Sequence, residues 1–277
     1  NNLEFDHADI FPDLAAIQRQ FHHLVRTVPA IGRIVIPAGE SALDDVLDMG
    51  CWSEVERVSS EKGQAADWQA KVLSDDFSQF DVLYKGLVQG RVNWAHTGAH
   101  NVNNALVTLA AAHHIGVQPK DGIDALCQFQ GVKRRMEVLA TVAGITVYDD
   151  FAHHPTAIAT TLQGLRGRVA EGRIIALIEP RSNTMRMGIY KDRLAPAVAY
   201  ADEVIWYQPP GLNWSLDSVI ADSATPARLS VDLEQTIAEL SVSLKAGDHV
   251  VIMSNGGFGG VHQRLIKALR KRWEASQ

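Results

Sequence analysis

The chain has 277 residues, 46% of them hydrophobic, with 26 basic against 32 acidic side chains and a formal charge of -6. That length fits two domains of ordinary size, and that apolar content argues against disorder. The mild acidity gives no support to nucleic acid or an anionic membrane as the main partner, while a local basic pocket for phosphate stays open.

The two cysteines, Cys51 and Cys127, have no metal-ligand pattern around them, which points to a reducing compartment. No run approaches the roughly 18 consecutive apolar residues of a membrane span, so no membrane insertion is expected. The chain opens NNLEFDHADI, with neither Met nor a signal-like segment. This stretch reads as the end of a strand, and the expectation is a fragment whose first elements lie upstream.

Residues 13–28 place Leu14, Ile17, Phe21, Leu24 and Val28 at helical spacing, with Asp13 suited to the helix N-terminus. GRIVIP (32–37) reads as a short buried strand. SEVERVS, DWQAKVLS, FDVLYKG and GRVNWAH are short alternating segments between Gly, Asp and Ser, which fit an antiparallel edge or meander. HNVNNALVTLAAAHHIGV is a strong helix ending near Gly116. PKDGIDALCQFQGV follows as a second, shorter one, with Gly131 as a hinge.

From there the rhythm changes, which sets a boundary near 131–137. ITVYDD (145–150), RIIALIEP (173–180), DEVIWYQ (202–208) and GDHVVIMSNGG (247–257) are apolar runs with polar or glycine-rich tips. PTAIATTLQGLRG, KDRLAPAVAYA, DLEQTIAELSVSL and GVHQRLIKALRKRW are helical segments among and after them. Such alternation predicts an α/β domain with a parallel sheet covered on both faces, which binds ligands at the carboxyl ends of its strands.

The unusual polar residues gather at those ends. In YDDFAHHPT (148–156), Pro155 suits a first helical turn, which sets Asp149, Asp150 and His153 at a strand-to-helix handover. Three readings stay open there: carboxylates orienting a ribose, a metal site, and helix capping with core hydrogen bonding. EPRSNTMRMG (179–188) offers Arg181, Ser182 and Asn183, and arginine meets carboxylate or phosphate with two parallel bonds. SNGGFGG (254–260), with Ser254 and Asn255, is either a backbone anion nest or an ordinary turn. It lacks the spacing of a dinucleotide fingerprint and follows the last strand, which argues against an NAD-dependent dehydrogenase.

Further upstream, Asn101 and Asn104 share one face of their helix, and paired amides read an adenine edge; Asn101 as a helix cap is the plainer alternative. In EFDHAD (4–9), His7 is either a structural histidine or one ligand of an oxygen-rich Mg²⁺ shell. KRRMEV (133–138) puts three cations at the hinge, as a phosphate-reaching group or a solvated turn.

Taken in order, DHAD, HNVNNAL, GVKRRMEV, YDDFAHHPT, EPRSNTMRMG and SNGGFGG resemble the Mur ligases, ATP-dependent amide-forming enzymes of bacterial cell-wall synthesis. The likeness is strongest to the branch that adds a tripeptide. It implies a partial central ATP-binding domain over 1–131 and a Rossmann-like C-terminal domain with a mostly parallel sheet over 132–277. It implies a cytoplasmic ligase joining UDP-N-acetylmuramate to the murein tripeptide L-alanyl-γ-D-glutamyl-meso-diaminopimelate through an acyl phosphate, with ATP and Mg²⁺. Ligation of L-alanine to the same nucleotide, and a nucleotide-binding fragment without activity, are the alternatives.

The same resemblance assigns roles. His7 matches a histidine on the second Mg²⁺. Asn101 and Asn104 match adenine contacts, and Arg135 an arginine reaching the terminal phosphate. Asp150 matches the acidic residue that binds the ribose or orients the nucleotide-side linker. Arg181, with Ser182, Asn183, Ser254 and Asn255, is the candidate site for a peptide carboxylate. The P-loop, a Mg²⁺-sharing glutamate and the N-terminal domain of the family are expected upstream, so this stretch by itself is expected to be inactive. Some relatives carry a carbamylated lysine after the DH motif, where this chain reads QRQFHH.

Overall fold

A computed structural model describes residues 1–275, which divide into two compact units, the first ending at Gln130 and the second beginning at Gly131.

The first unit runs α1 (Leu14–Val25), β1 (Arg33–Pro37), α2 (Ser41–Asp48), β2 (Glu54–Ser59), β3 (Trp68–Val72), β4 (Gln79–Tyr84), β5 (Leu87–Asn93), α3 (Ala99–His114) and α4 (Pro119–Gln128). Asp13 caps α1 by accepting from the Ala16 amide at 2.7 Å. The five strands lie in sequence order in one sheet. The expected meander holds for β3, β4 and β5, but β1, β2 and β3 are parallel. A helix-bearing crossover is not needed between β2 and β3, because their only register pairs are Val58 with Trp68 and Ser59 with Gln69. The third strand thus begins level with the end of the second, and a short loop suffices. One core packs Trp68, Phe80 and Val92 against Leu106 and Leu109 of α3; another joins Ile17, Ile36, Leu43 and Val46.

The second unit runs β6 (Glu137–Val142), β7 (Ile145–Asp150), α5 (Pro155–Val169), β8 (Ile174–Ile178), α6 (Asn183–Arg186), α7 (Lys191–Ala197), β9 (Glu203–Tyr207), α8 (Asp217–Ala221), β10 (Ala227–Ser230), α9 (Leu233–Ser243), β11 (His249–Met253) and α10 (Val261–Glu274). The sheet order is β10-β9-β8-β11-β7-β6, parallel throughout except for β6 against β7.

This order follows from crossover handedness. Steps from β7 to β8, β9 and β10 move one way across the sheet, and the return to β11 moves the other. Right-handed crossovers therefore send their helices to opposite faces. Ile158, Leu162 and Leu194 of α5 and α7 share one core with Ala176, Ile178 and Trp206. Ile237, Leu240, Leu265 and Ile266 of α9 and α10 share the other with Val147, Ile175 and Leu177. Every residue of β8 is buried, which is why its sequence is a continuous apolar run. The insertion of β11 between β7 and β8 brings three strand tips side by side, at Asp150, Glu179 and Ser254.

Candidate functional site

At the β7 tip, burial decides what each carboxylate can do. Asp150 is 3% exposed; its Oδ1 accepts from the Ala152 amide and its Oδ2 from the Met136 amide, both at 2.8 Å. Burial pushes its pKa above the usual carboxylate value, opposed by those two hydrogen bonds and by Arg135. The carboxylate matched to a ribose is thus turned inward here, holding the two chain segments that flank it. Its neighbour Asp149 points to the other side, as adjacent strand residues must. Asp149 lies 3.2 Å from Arg134 Nε and 3.2 Å from His262 Nε2 at the start of α10. Burial holds the His262 pKa below the ordinary histidine value, against the pull of Asp149.

The two histidines of the motif serve the local backbone. His153 Nδ1 lies 3.0 Å from Phe151 O, and His154 caps α5 by accepting from the Thr156 amide at 3.3 Å, with Pro155 at the first helical position. Of the three readings of YDDFAHHPT, the contacts in this structure are those of capping and core bonding. Among the described residues no three His, Cys, Asp or Glu side chains meet as a protein-built metal site would require.

Arg134 and Arg135 part company. Arg134 Nη2 donates to Ser254 O at 2.7 Å and to Gly256 O at 2.8 Å, while its backbone amide donates to Glu137. Arg135 is exposed, with its guanidinium 5.5 Å from the Phe151 ring.

At the β11 tip, Ser254 is fully buried and donates to Glu179 Oε2 at 2.5 Å, and its Oγ accepts from the Gly256 amide at 2.9 Å. Ser254 therefore shapes the loop and has no surface to offer a ligand. Ser182 caps α6 by accepting from the Met185 amide at 3.3 Å. Arg181 and Asn183 are exposed beside it. The Arg181 side chain crosses Gly256, so that a β-carbon placed on that glycine would stand 2.4 Å from Arg181 Cδ and Nε. Asn255 Oδ1 is buried with no hydrogen-bond partner among the described residues.

In the first unit, α3 begins after Gly98, whose φ of +89° suits glycine and leaves no side-chain cap. Asn101 is therefore not the cap. Its Nδ2 donates back to Thr97 O at 2.8 Å, which leaves Oδ1 to accept. Asn104, exposed, accepts from Asn1 Nδ2 at 2.7 Å, which leaves its own Nδ2 to donate. Asn103 supports them from behind by accepting from the Ser60 amide at 3.0 Å. His7 is exposed in a turn with φ of +54°, its carbonyl accepting from the Ile10 and Phe11 amides, and its Nε2 lies 3.9 Å from Asp6 Oδ2.

Two α/β units in tandem, the second with polar residues gathered at its strand tips, define the class as a multidomain α/β protein. Residues 1–112 match the Mur ligase middle domain and residues 134–256 match the Mur ligase glutamate ligase domain. The chain belongs to the Mur ligase family.

It is 52% identical over 279 residues to UDP-N-acetylmuramate–L-alanyl-γ-D-glutamyl-meso-2,6-diaminoheptandioate ligase of Escherichia coli (strain K12), an alignment covering 100% of this chain and 60% of that one. It is 32% identical over 284 residues to UDP-N-acetylmuramate–L-alanine ligase of Caldanaerobacter subterraneus subsp. tengcongensis, with 98% and 60% covered. The crystal structure of a murein peptide ligase from Psychrobacter arcticus 273-4 superposes with a TM-score of 0.69 at 47% identity, covering 97% of this chain and 56% of that one. The chain thus spans about three-fifths of the length of the relatives it matches.

Proposed function

We propose that this chain is the ATP-binding and peptide-accepting part of a cytoplasmic ligase that joins UDP-N-acetylmuramate to L-alanyl-γ-D-glutamyl-meso-diaminopimelate. One observation carries the choice of substrate. Identity is 52% to the ligase named for that peptide, against 32% to the one named for L-alanine, over nearly the same residues. Residues 1–131 and 132–277 are the two domains of this reading.

The first-unit residues fit a nucleotide. An adenine edge pairs a donor with an acceptor, and Asn101 Oδ1 with Asn104 Nδ2 offers the complementary pair on one helix face. Mg²⁺ keeps several waters and is held by one or two protein groups together with substrate phosphates, so the lack of a protein cage around His7 suits it. His7 would supply one ligand, with Asp6 near it. ATP with Mg²⁺, when bound, would supply activation of the sugar carboxylate as an acyl phosphate, releasing ADP; an amine attacking that carbonyl would then form the amide and expel inorganic phosphate.

The second-unit residues take the rest. Arg135, exposed and unclaimed by the backbone around it, is free to reach a phosphate. Arg181 meets a peptide carboxylate through its two-pronged guanidinium, with the side-chain NH₂ groups of Asn183 and Asn255 as further candidate donors. Asp150 contributes by fixing the β7 tip.

The test is a product assay on a polypeptide carrying this chain together with the upstream region its relatives possess. With UDP-N-acetylmuramate, ATP and Mg²⁺ present, tripeptide should give the amide product and free L-alanine should give little. Preference for L-alanine would replace this reading with the other branch of the family, and no ATP-dependent product with either would end it.

A further inference from the structure

Arg134 is the most connected side chain of the second unit's strand tips, and nothing in the proposed chemistry uses it. Its Nε faces Asp149 at 3.2 Å, and its Nη2 holds two carbonyls of the β11 tip, Ser254 O at 2.7 Å and Gly256 O at 2.8 Å. Asp149 also lies 3.2 Å from His262 Nε2 on α10, the helix that follows the same loop. Ser254 Oγ, anchored on Glu179, receives the Gly256 amide at 2.9 Å. The Gly256 amide and carbonyl are thus both fixed. On its outer surface lies Arg181, whose Cδ, Nε and Cζ fall within 2.4 to 2.6 Å of where a β-carbon of Gly256 would stand.

We propose that Arg134 is a positioning residue for peptide binding: by fixing the Ser254–Gly256 carbonyls it sets the glycine floor on which Arg181 rests, and so aims Arg181 at the incoming carboxylate. This inference rests on the reading of Arg181 as the peptide-carboxylate residue. The fork is specific to arginine. One guanidinium edge faces Asp149 while another nitrogen bridges two carbonyls, a division of labour that a single ammonium on a flexible stem does not reproduce. Gly256 complements it. Its φ is not positive, so alanine meets no backbone objection there, and the added methyl acts by pushing Arg181 aside.

The experiment is a double-mutant cycle in the full-length ligase, reading KM for tripeptide and KM for ATP. Arg181→Ala, Arg134→Ala and Gly256→Ala should each raise the tripeptide KM roughly tenfold, the loss of one well-made charge-assisted contact, with the ATP KM little changed. In the Arg181→Ala background neither of the other two changes should raise it further, because both act through Arg181. Equal rises with and without Arg181 would overturn the inference while leaving Arg181 its role. An unchanged KM in Arg181→Ala would overturn the peptide-site reading and this inference with it. Arg134→Lys should behave as Arg134→Ala; full rescue by lysine would show that charge alone, not the fork, matters. Should Arg134→Ala not fold, the Gly256→Ala cycle with Arg181 decides alone.

Discussion

Ser254 Oγ donates to Glu179 Oε2 at 2.5 Å, joining the tips of β11 and β8 with both residues out of water, at 0% and 6% exposure. A buried carboxylate that loses its donor bears the full desolvation penalty. Ser254→Ala should therefore destabilise the 277-residue chain by about 1–3 kcal/mol. Denaturant unfolding measures it, and an unchanged midpoint would show that Glu179 finds another donor.

Tyr148 OH lies 3.0 Å from His249 Nδ1 at the opposite end of the same sheet. Burial lowers the His249 pKa below its ordinary 6.5, with Arg166 adding to the effect and Asp248 opposing it. The unfolded chain then binds the proton more readily than the folded one. Stability from this group is complete above pH 6.5 and declines as pH falls from there towards the depressed folded pKa. The buried His262 adds to the same decline. His249→Gln should flatten the fall in melting temperature between about pH 6.5 and pH 5. If the slope is the same in the variant, His249 is not its source.

Much of this was legible from the chain, for physical reasons. The strands β7, β8, β9 and β11 announce themselves because a sheet covered on both faces needs apolar residues at nearly every position. Two strands escaped. β10 is only four residues, ARLS, and β6, EVLATV, pairs antiparallel with a register shift between Val138 and Ala140 that breaks its alternation. The short helix α2 escaped too, having no side-chain cap to mark its start. Strand direction in the first sheet was unreadable, since alternation is the same in parallel and antiparallel pairs. At the candidate site, sequence singled out the strand tips but could not tell inward from outward residues. Ser254 and Asp150 face in, Arg181 faces out. His262 carried no signal: it is one histidine on a basic helix, and only the fold sets it against Asp149.

Asp150 offers a direct check on that inward assignment. Its two oxygens accept from the Ala152 and Met136 amides, so Asp150→Asn would set an amide NH₂ against one backbone N–H. One buried donor would lose its partner, at a cost of about 1–3 kcal/mol in the absence of any nucleotide. Unfolding of the ligand-free chain measures this. A neutral result would show that Asp150 does not hold the fold together.

The neighbouring arginines 134 and 135 look interchangeable in the sequence, and the backbone separates them. Arg134 has a φ of +60°, donates its amide to Glu137 and commits its side chain to Asp149, Ser254 and Gly256. Arg135 stays exposed, with its guanidinium over the Phe151 ring at 5.5 Å. Replacing each by alanine in the 277-residue chain should therefore give unequal losses. Arg134→Ala should cost upwards of about 2 kcal/mol, since hydrogen bonds to charged groups are each worth about 1.5–3. Arg135→Ala should fall within about 0.5 kcal/mol of the parent, as surface changes do. In the full-length ligase the order reverses for phosphoryl transfer. Arg135→Ala should slow the burst of acyl-phosphate formation at saturating ATP by about a hundredfold, as loss of one electrostatic contact to a transferring group does. Rapid quench of a single turnover reads that step directly. A burst at the parent rate would remove Arg135 from the phosphate, whatever its effect on stability.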